Sequence, residues 1–240
     1  MKKIVSICLL LFLFQYSFAG CDYSREVNGS GEVITLQKDI TDFTKLEITS
    51  TFTATVTRSE FYSVQLRLDD NLVGYLDVEK NGDVLTIDLV DTFSYRDVTL
   101  EADITLPDLE ALSISGASSA VVSGFDFEHP FVCYVSGASA ATGSMNTGLT
   151  DFNISGASSV ELEGYGGDLT INGGGASTLS LGHFISDNAD ITLSGGARTT
   201  VNITGTIDAV LSGGSILYYY GDPIIGDTAL SGNSKIEKIE

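Results

Sequence analysis

From about Glu32 to Glu110 apolar and polar residues alternate. The runs include Leu46-Glu47-Ile48-Thr49, Phe52-Thr53-Ala54-Thr55-Val56-Thr57, Val64-Gln65-Leu66-Arg67-Leu68 and Val84-Leu85-Thr86-Ile87-Asp88-Leu89. A period of two, rich in β-branched residues, predicts half-buried strands. Asn81-Gly82, between Leu76-Asp77-Val78 and Val84, predicts a hairpin turn. Asp69-Asp70-Asn71 opens the one short helix that the pattern predicts, roughly 70–76.

From Ala111 onward the chain repeats itself. Ile114-Ser115-Gly116-Ala117-Ser118 returns as Val135-Ser136-Gly137-Ala138-Ser139 and as Ile154-Ser155-Gly156-Ala157-Ser158, with four looser copies after it. Taking glycines 116, 137, 156, 175, 196, 213 and 232 as markers, the spacings are 21, 19, 19, 21, 17 and 19. A period near 19 with a small-residue corner predicts a solenoid. Each unit carries about two short strands, such as Phe152-Asn153-Ile154 and Val160-Glu161-Leu162, and cannot bury its apolar face alone. Parallel stacking at ~4.8 Å pairs every backbone group with the coil above and below. Glycine at the corner permits positive φ where coils meet. The two ends of such a stack are edge strands and need covering. The N-terminal strands are placed to cap or extend one end, and the charged tail Lys235–Glu240 to blunt the other.

The Ser-Gly-Ala-Ser corners, preceded by Ile104-Thr105-Leu106-Pro107-Asp108-Leu109-Glu110-Ala111-Leu112, resemble the head GIN domain family, described as putative autotransporter adhesins. The similarity runs from about residue 40 to 232. It implies an all-β fold, a right-handed parallel β-helix, in exported or lipid-anchored proteins of Bacteroidetes-type bacteria. It brings no catalytic residue with it.

The first residues change the picture. Met1-Lys2-Lys3, an apolar run from Ile4 to Phe14 and small residues before Cys21 form a secretory signal, too short to span a bilayer. Ala19-Gly20-Cys21 resembles a lipoprotein box, with Phe18 departing from the usual Leu. The expectation is a signal peptide over 1–20, a lipidated Cys21 and a polar tether over 21–31. A strand-rich part follows at 32–110 and the β-solenoid at 111–240. The protein is then exported and held in the outer membrane through its N-terminal lipid, on the cell-surface or the periplasmic side. Of the three cysteines, Cys8 leaves with the signal and Cys133 keeps no disulfide partner. Cys133 lies in the apolar run Phe131–Val135 and is read as a buried small side chain.

Composition narrows the function. Twelve basic residues face 32 acidic ones, a net charge of −20, which becomes −22 once Lys2 and Lys3 are cleaved away. A surface this acidic does not wrap nucleic acid or dock on anionic lipid by charge. Hydrophobic residues at 43% provide for a sizeable core, so disorder is not expected. The two histidines, His129 and His183, are read as solvated loop residues, too few for zinc. The repeated serines have no paired histidine and are corners rather than nucleophiles. No metal or cofactor is expected.

Two groups remain as chemistry. Residues 111–232 hold eleven acids against one base, Arg198. Glu161 and Glu163 share a strand face, and Asp187 and Asp190 share the loop Ser186–Asp190; either pair could serve a glycosidase, and the Asp187-Asn188-Asp190 loop offers oxygen ligands to calcium. A solvated acidic face is the preferred reading of both. In Tyr218-Tyr219-Tyr220-Gly221-Asp222, Tyr218 and Tyr220 share one face and Tyr219 takes the other. An exposed Tyr beside Asp222 suits a sugar or a protein partner; packing at the end of the solenoid is the alternative. The sequence as a whole points to a non-catalytic adhesin or ligand-binding envelope lipoprotein. Tyr218, Tyr220 and Asp222 are its candidate ligand contacts, and a polysaccharide or an envelope protein its partner. The alternatives are a polysaccharide-active enzyme on a β-helix, or a periplasmic scaffold or sensor-associated protein.

Overall fold

Period-two segments with one apolar face can be satisfied by stacking in register, and the chain does this throughout. The structure, a computed structural model, describes residues 25–240. The signal peptide and Cys21 lie outside these residues.

The N-terminal part contributes β1 (Arg25–Asn28), β2 (Val33–Lys38), β3 (Lys45–Ile48), β4 (Thr53–Arg58) and β5 (Ser63–Asp69). A 3-10 turn at Asp70–Tyr75 follows, where the short helix was expected. Then come β6 (Leu76–Asn81), β7 (Val84–Leu89), β8 (Phe93–Arg96) and β9 (Leu100–Leu106). Gly82, at φ 63°, turns the β6–β7 hairpin.

The repeats alternate between two sheets. Sheet I receives β10 (Ala111–Ile114), β12 (Phe131–Val135), β14 (Thr150–Ile154), β16 (Leu169–Gly173), β18 (Ala189–Leu193), β20 (Thr206–Leu211) and β22 (Ile224–Leu230). Sheet II receives β11 (Ser119–Asp126), β13 (Ala140–Asn146), β15 (Ser159–Tyr165), β17 (Thr178–Ser186), β19 (Arg198–Ile203), β21 (Ile216–Tyr220) and β23 (Lys235–Lys238). Every repeat strand pairs in parallel with its counterparts one coil away. The fold is an all-β parallel β-helix.

Two coils precede the visible repeats. β3 pairs in parallel with β10, and β4 with β11, so β3–β4 is a coil of the same kind. β7 and β9 form another beneath it, since β7 pairs with β3 and β9 with β4. The chain therefore returns from β9 over β3–β4 to reach β10. Antiparallel strands close this end: β6 lies on β7, while β5 and then β2 lie beside β9. At the other end β22 and β23 are the outermost strands of their sheets, and every residue of β22 is exposed.

Part of the segment expected to be a tether is structured. β1 pairs in parallel with β8, and Asp69, 1% exposed, accepts hydrogen bonds from the N–H of Gly31 at 2.7 Å and of Thr99 at 2.6 Å. The tail, expected to blunt the far end, supplies β23.

The core lies between the sheets as columns of equivalent residues. Leu46, Leu112, Cys133, Phe152, Ile171, Ile191 and Ala209 follow one another in register on sheet I, all buried. Ala54, Ala120, Ala141, Val160, Leu179 and Leu217 face them from sheet II. Full burial of each large aliphatic or aromatic side chain contributes about 1.5–3 kcal/mol. Cys133 is one of the column, and burial pushes its thiol pKa up to about 12.

The corners stack glycine on glycine. Gly116, Gly137, Gly156, Gly175, Gly195, Gly213 and Gly232 all have φ of 64–77°. The fifth marker is therefore Gly195 rather than Gly196. Gly195 N–H and C=O groups align with Gly175 below and Gly213 above, and a Cβ on Gly195 would sit 2.8 Å from the Gly175 carbonyl oxygen. The sequence pair Gly195-Gly196 offered either residue; the backbone stack selects the first.

Candidate functional site

Outward residues of sheet II form a single file across the stack: Thr55, Val121, Thr142, Glu161, Ser180, Thr200, Tyr218 and Glu237. The file is interrupted beside it by a bulge in β17. Glu161 pairs with Ser180, but Gly164 pairs with Phe184, so β17 carries an extra residue there. On its other side the slip is larger, since Ser180 pairs with Thr200 and Ile185 with Asn202. Bulges redirect side chains and open local concavities. Here the bulge at Leu181–His183 opens a cleft of about 210 Å³ lined by Glu161, Glu163, Ser180, His183, Thr200 and Tyr220. Gly182 makes room for the aromatic ring: a Cβ at Gly182 would meet Tyr220 Cε2 at 2.9 Å. Asn202 Nδ2 donates to the Gly182 carbonyl at 3.2 Å and holds the bulge.

The residues singled out in the sequence are thus partly brought together. Tyr220 and the pair Glu161 and Glu163 share the cleft, and His183 joins them. Tyr218 lies half-buried in the same file as Glu161, Ser180 and Thr200, one coil beyond Thr200, and Tyr219 packs inward against the core. Asp222 is turned elsewhere. Its carboxylate accepts a hydrogen bond from Lys238 Nζ, which holds it below the usual carboxylate range. Glu161, Glu163 and His183 are exposed, so the cleft lacks the apolar enclosure that a glycosidase gives its general acid. The signal for this cleft was in the spacing. Gly175 to Gly195 is 20 residues and Gly195 to Gly213 is 18, against 19 for the two coils before, and the displaced residue is the bulge.

Other candidates resolve differently. Asn188 Nδ2 donates to Asp168 Oδ1 at 2.8 Å, and Asn188 Oδ1 accepts from the Thr206 N–H at 2.9 Å, so the Asp187–Asp190 loop is tied to its neighbours. Among the described residues no group of three or more His, Cys, Asp or Glu is arranged to hold a metal ion. His129 lies in the expected loop but is partly buried and partnered rather than fully solvated. Its ring stacks on Phe127 with centroids 3.9 Å apart, and Nε2 lies 2.7 Å from Asp108 Oδ1. Burial lowers its pKa, but the Pro130 carbonyl and the Asp108 carboxylate outweigh burial and raise it. The sequence separation of 21 residues concealed this pair, because the coil return that joins them is visible only in the stack.

The outward face of sheet I carries a second file in register: Ser113, Tyr134, Asn153, Asn172, Thr192 and Val210. Tyr134, Asn153 and Asn172 escaped notice in the sequence. Their signal is positional, since each stands two residues before the Ser or Gly that opens a corner.

The model of the family described as "Putative auto-transporter adhesin, head GIN domain" matches residues 42–223. A putative adhesin from Bacteroides fragilis superposes with a TM-score of 0.83 at 20% identity, covering 89% of this chain and 100% of its own. One from Parabacteroides merdae gives 0.69 at 15% identity, covering 90% and 100%. A structure titled a putative lipid binding protein, from Parabacteroides distasonis, gives 0.67 at 17% identity, covering 90% and 100%. At these identities the likeness is one of fold. No curated protein is matched by the chain.

Proposed function

Since the chain belongs to the head GIN domain family of putative auto-transporter adhesins, we propose that it is a cell-envelope lipoprotein that acts by binding rather than by catalysis. Cys21 carries the lipid and places the solenoid in the outer membrane, facing out. The observation that carries the reading is the bulge cleft on sheet II. It offers an aromatic ring, Tyr220, next to exposed carboxylates and hydroxyls. Tyr and acidic or hydroxyl groups side by side suit a sugar or a polar protein surface. Tyr218 extends that surface by one position, and a polysaccharide or an envelope protein is the partner.

Protease shaving of intact cells tests the placement. Loss of the protein before lysis is expected; protection until lysis would sink the surface reading in favour of a periplasmic scaffold or sensor-associated role. Replacing Tyr218 and Tyr220 together with Ala is expected to weaken attachment of purified protein to its target surface about tenfold. The melting temperature should fall by no more than about 5 °C, as both side chains are only half-buried. Unchanged attachment would remove the cleft from the contact.

One observation favours a second reading, polysaccharide hydrolysis. Glu161 and Glu163, two apart on β15, share the cleft with His183. Turnover of any polysaccharide that disappears in both Glu161→Gln and Glu163→Gln would establish it, and turnover unaffected by either would dismiss it.

A further inference from the structure

The sheet II cleft leaves the opposite face of the stack without a role. On that face, between the file of outward residues and the corners, runs a groove of about 440 Å³. Its lining is uncharged. Tyr134, 50% exposed, stands at one end. Asn153, Asn172 and Thr192 follow in register, one per coil, on β14, β16 and β18. Ser136, Ser155 and Ser194 form the corner wall. Gly174 replaces the serine of that wall in the middle coil and so removes a side chain from the groove.

Part of the hydrogen-bonding capacity of this row is left over for a ligand. Asn172 Nδ2 donates to Asn153 Oδ1 at 3.2 Å. That bond uses one donor and one acceptor, leaving the Asn153 amide nitrogen and the Asn172 amide oxygen without a protein partner among the described residues. A hydroxyl both donates and accepts, so a row of amides and hydroxyls matches a hydroxyl-rich chain. The spacing matches as well. Equivalent side chains recur every coil, ~4.8 Å along the stack, close to the advance of one sugar in an extended glycan. The volume lies within the range of small-ligand sites. Charge selects further. Next to this file, on the same face, stand Asp151, Asp190 and Asp208, and no Lys or Arg occurs on β12, β14, β16, β18 or β20. An anionic chain would find no counter-charge and several repulsive carboxylates.

We propose that this groove binds a neutral, extended oligosaccharide lying along the solenoid axis, with Tyr134 stacked on one sugar and Asn153, Asn172 and Thr192 each meeting a successive one. The proposal adds a second site to the binding reading above and rests on that reading only for biological setting, since the groove is tested on purified protein.

The test is calorimetric titration of the purified protein with a panel of neutral hexose hexasaccharides and, in parallel, an oligouronate of the same length. At least one neutral hexasaccharide is expected to bind, and the oligouronate is not. Tyr134→Ala should weaken binding about tenfold and Asn172→Ala roughly three- to tenfold. Asn172→Lys, which fills the groove from an exposed position, should abolish it. Phe61→Ala, an exposed ring in the N-terminal part that lines neither the groove nor the sheet II cleft, should leave it unchanged. Absence of binding by the wild type, equal binding of the oligouronate, or full affinity in Tyr134→Ala and Asn172→Lys would each overturn the proposal. Binding by purified protein together with protection in shaved cells would uphold the groove and sink the surface reading instead.

Discussion

Ser118, Ser139 and Ser158 occupy one column just past the corner, each no more than 2% exposed, and the Oγ of each has no hydrogen-bond partner in the protein. Ala197 holds the same place in that column two coils after Ser158, where the Ile216 N–H meets its carbonyl as the Ala140 N–H meets that of Ser118. A buried unpaired hydroxyl costs free energy and is better removed. Ser139→Ala is therefore expected to be neutral or to stabilise by up to about 1 kcal/mol in denaturant unfolding. Ser215→Ala should destabilise by about 1 kcal/mol, because Ser215 Oγ donates to the Ser212 carbonyl at 2.9 Å. Equal effects would mean that the column is hydrated. His129 makes a pH-dependent contribution at the same scale. Its folded pKa lies above the ordinary 6.5, so the protonated ring favours the fold below that value. The contribution is lost as pH rises through the folded pKa. The stability difference between wild type and His129→Gln should therefore shrink from pH 5.5 to pH 8.5; a difference that grows would reverse the assignment.

The corner is the element that made the fold legible. Its glycines recur because only they accept positive φ with another backbone directly against them. Where two glycines adjoin, the structure separates their roles. Gly195→Ala should destabilise by about 2–3 kcal/mol, with its φ of 69° and a Cβ 2.8 Å from the Gly175 oxygen. Gly196→Ala should lie within about 0.5 kcal/mol of wild type, because its Cβ would meet nothing nearer than 3.7 Å. Similar losses at both would place the strain elsewhere. The same logic explains what the repeat pattern did not reach. The corner of β3–β4 is Thr49-Ser50-Thr51-Phe52, with Ser50 at φ 55° and Thr51 at φ 66°. Non-glycine residues hold the conformation there, so no Ser-Gly marker announces the coil. The β7–β9 coil is further disguised, since its strands are separated by β8 and it enters the stack out of sequence order. The candidate clefts were less legible than the fold. Glu161, Glu163 and Tyr220 could be named from their chemistry, but their meeting depends on a bulge, and the row from Tyr134 to Thr192 emerges only when coils are aligned.

Across the whole molecule the two ends differ. Antiparallel strands close one, and Asp69 and the β1–β8 pair fix the start of the described chain beside it. A lipid on Cys21, four residues before Arg25, would keep that closed end within about 14 Å of its attachment point. With such an anchor, the end formed by β22 and β23 would be the end free to face away from the membrane. In both sheets the hydrogen bonds between coils run along the solenoid axis. If a partner holds the outer end while the lipid holds the inner one, flow past the cell loads those bonds lengthwise. The stack then opens from its outer edge one coil at a time rather than all at once. Each coil lost would release about 19 residues, on the order of 65 Å of slack. Pulling single molecules from residue 25 and residue 240 should give a train of evenly spaced ruptures; one rupture of full length would show that the coils fail together. A solenoid that yields in steps is a tether that lengthens under load before it lets go.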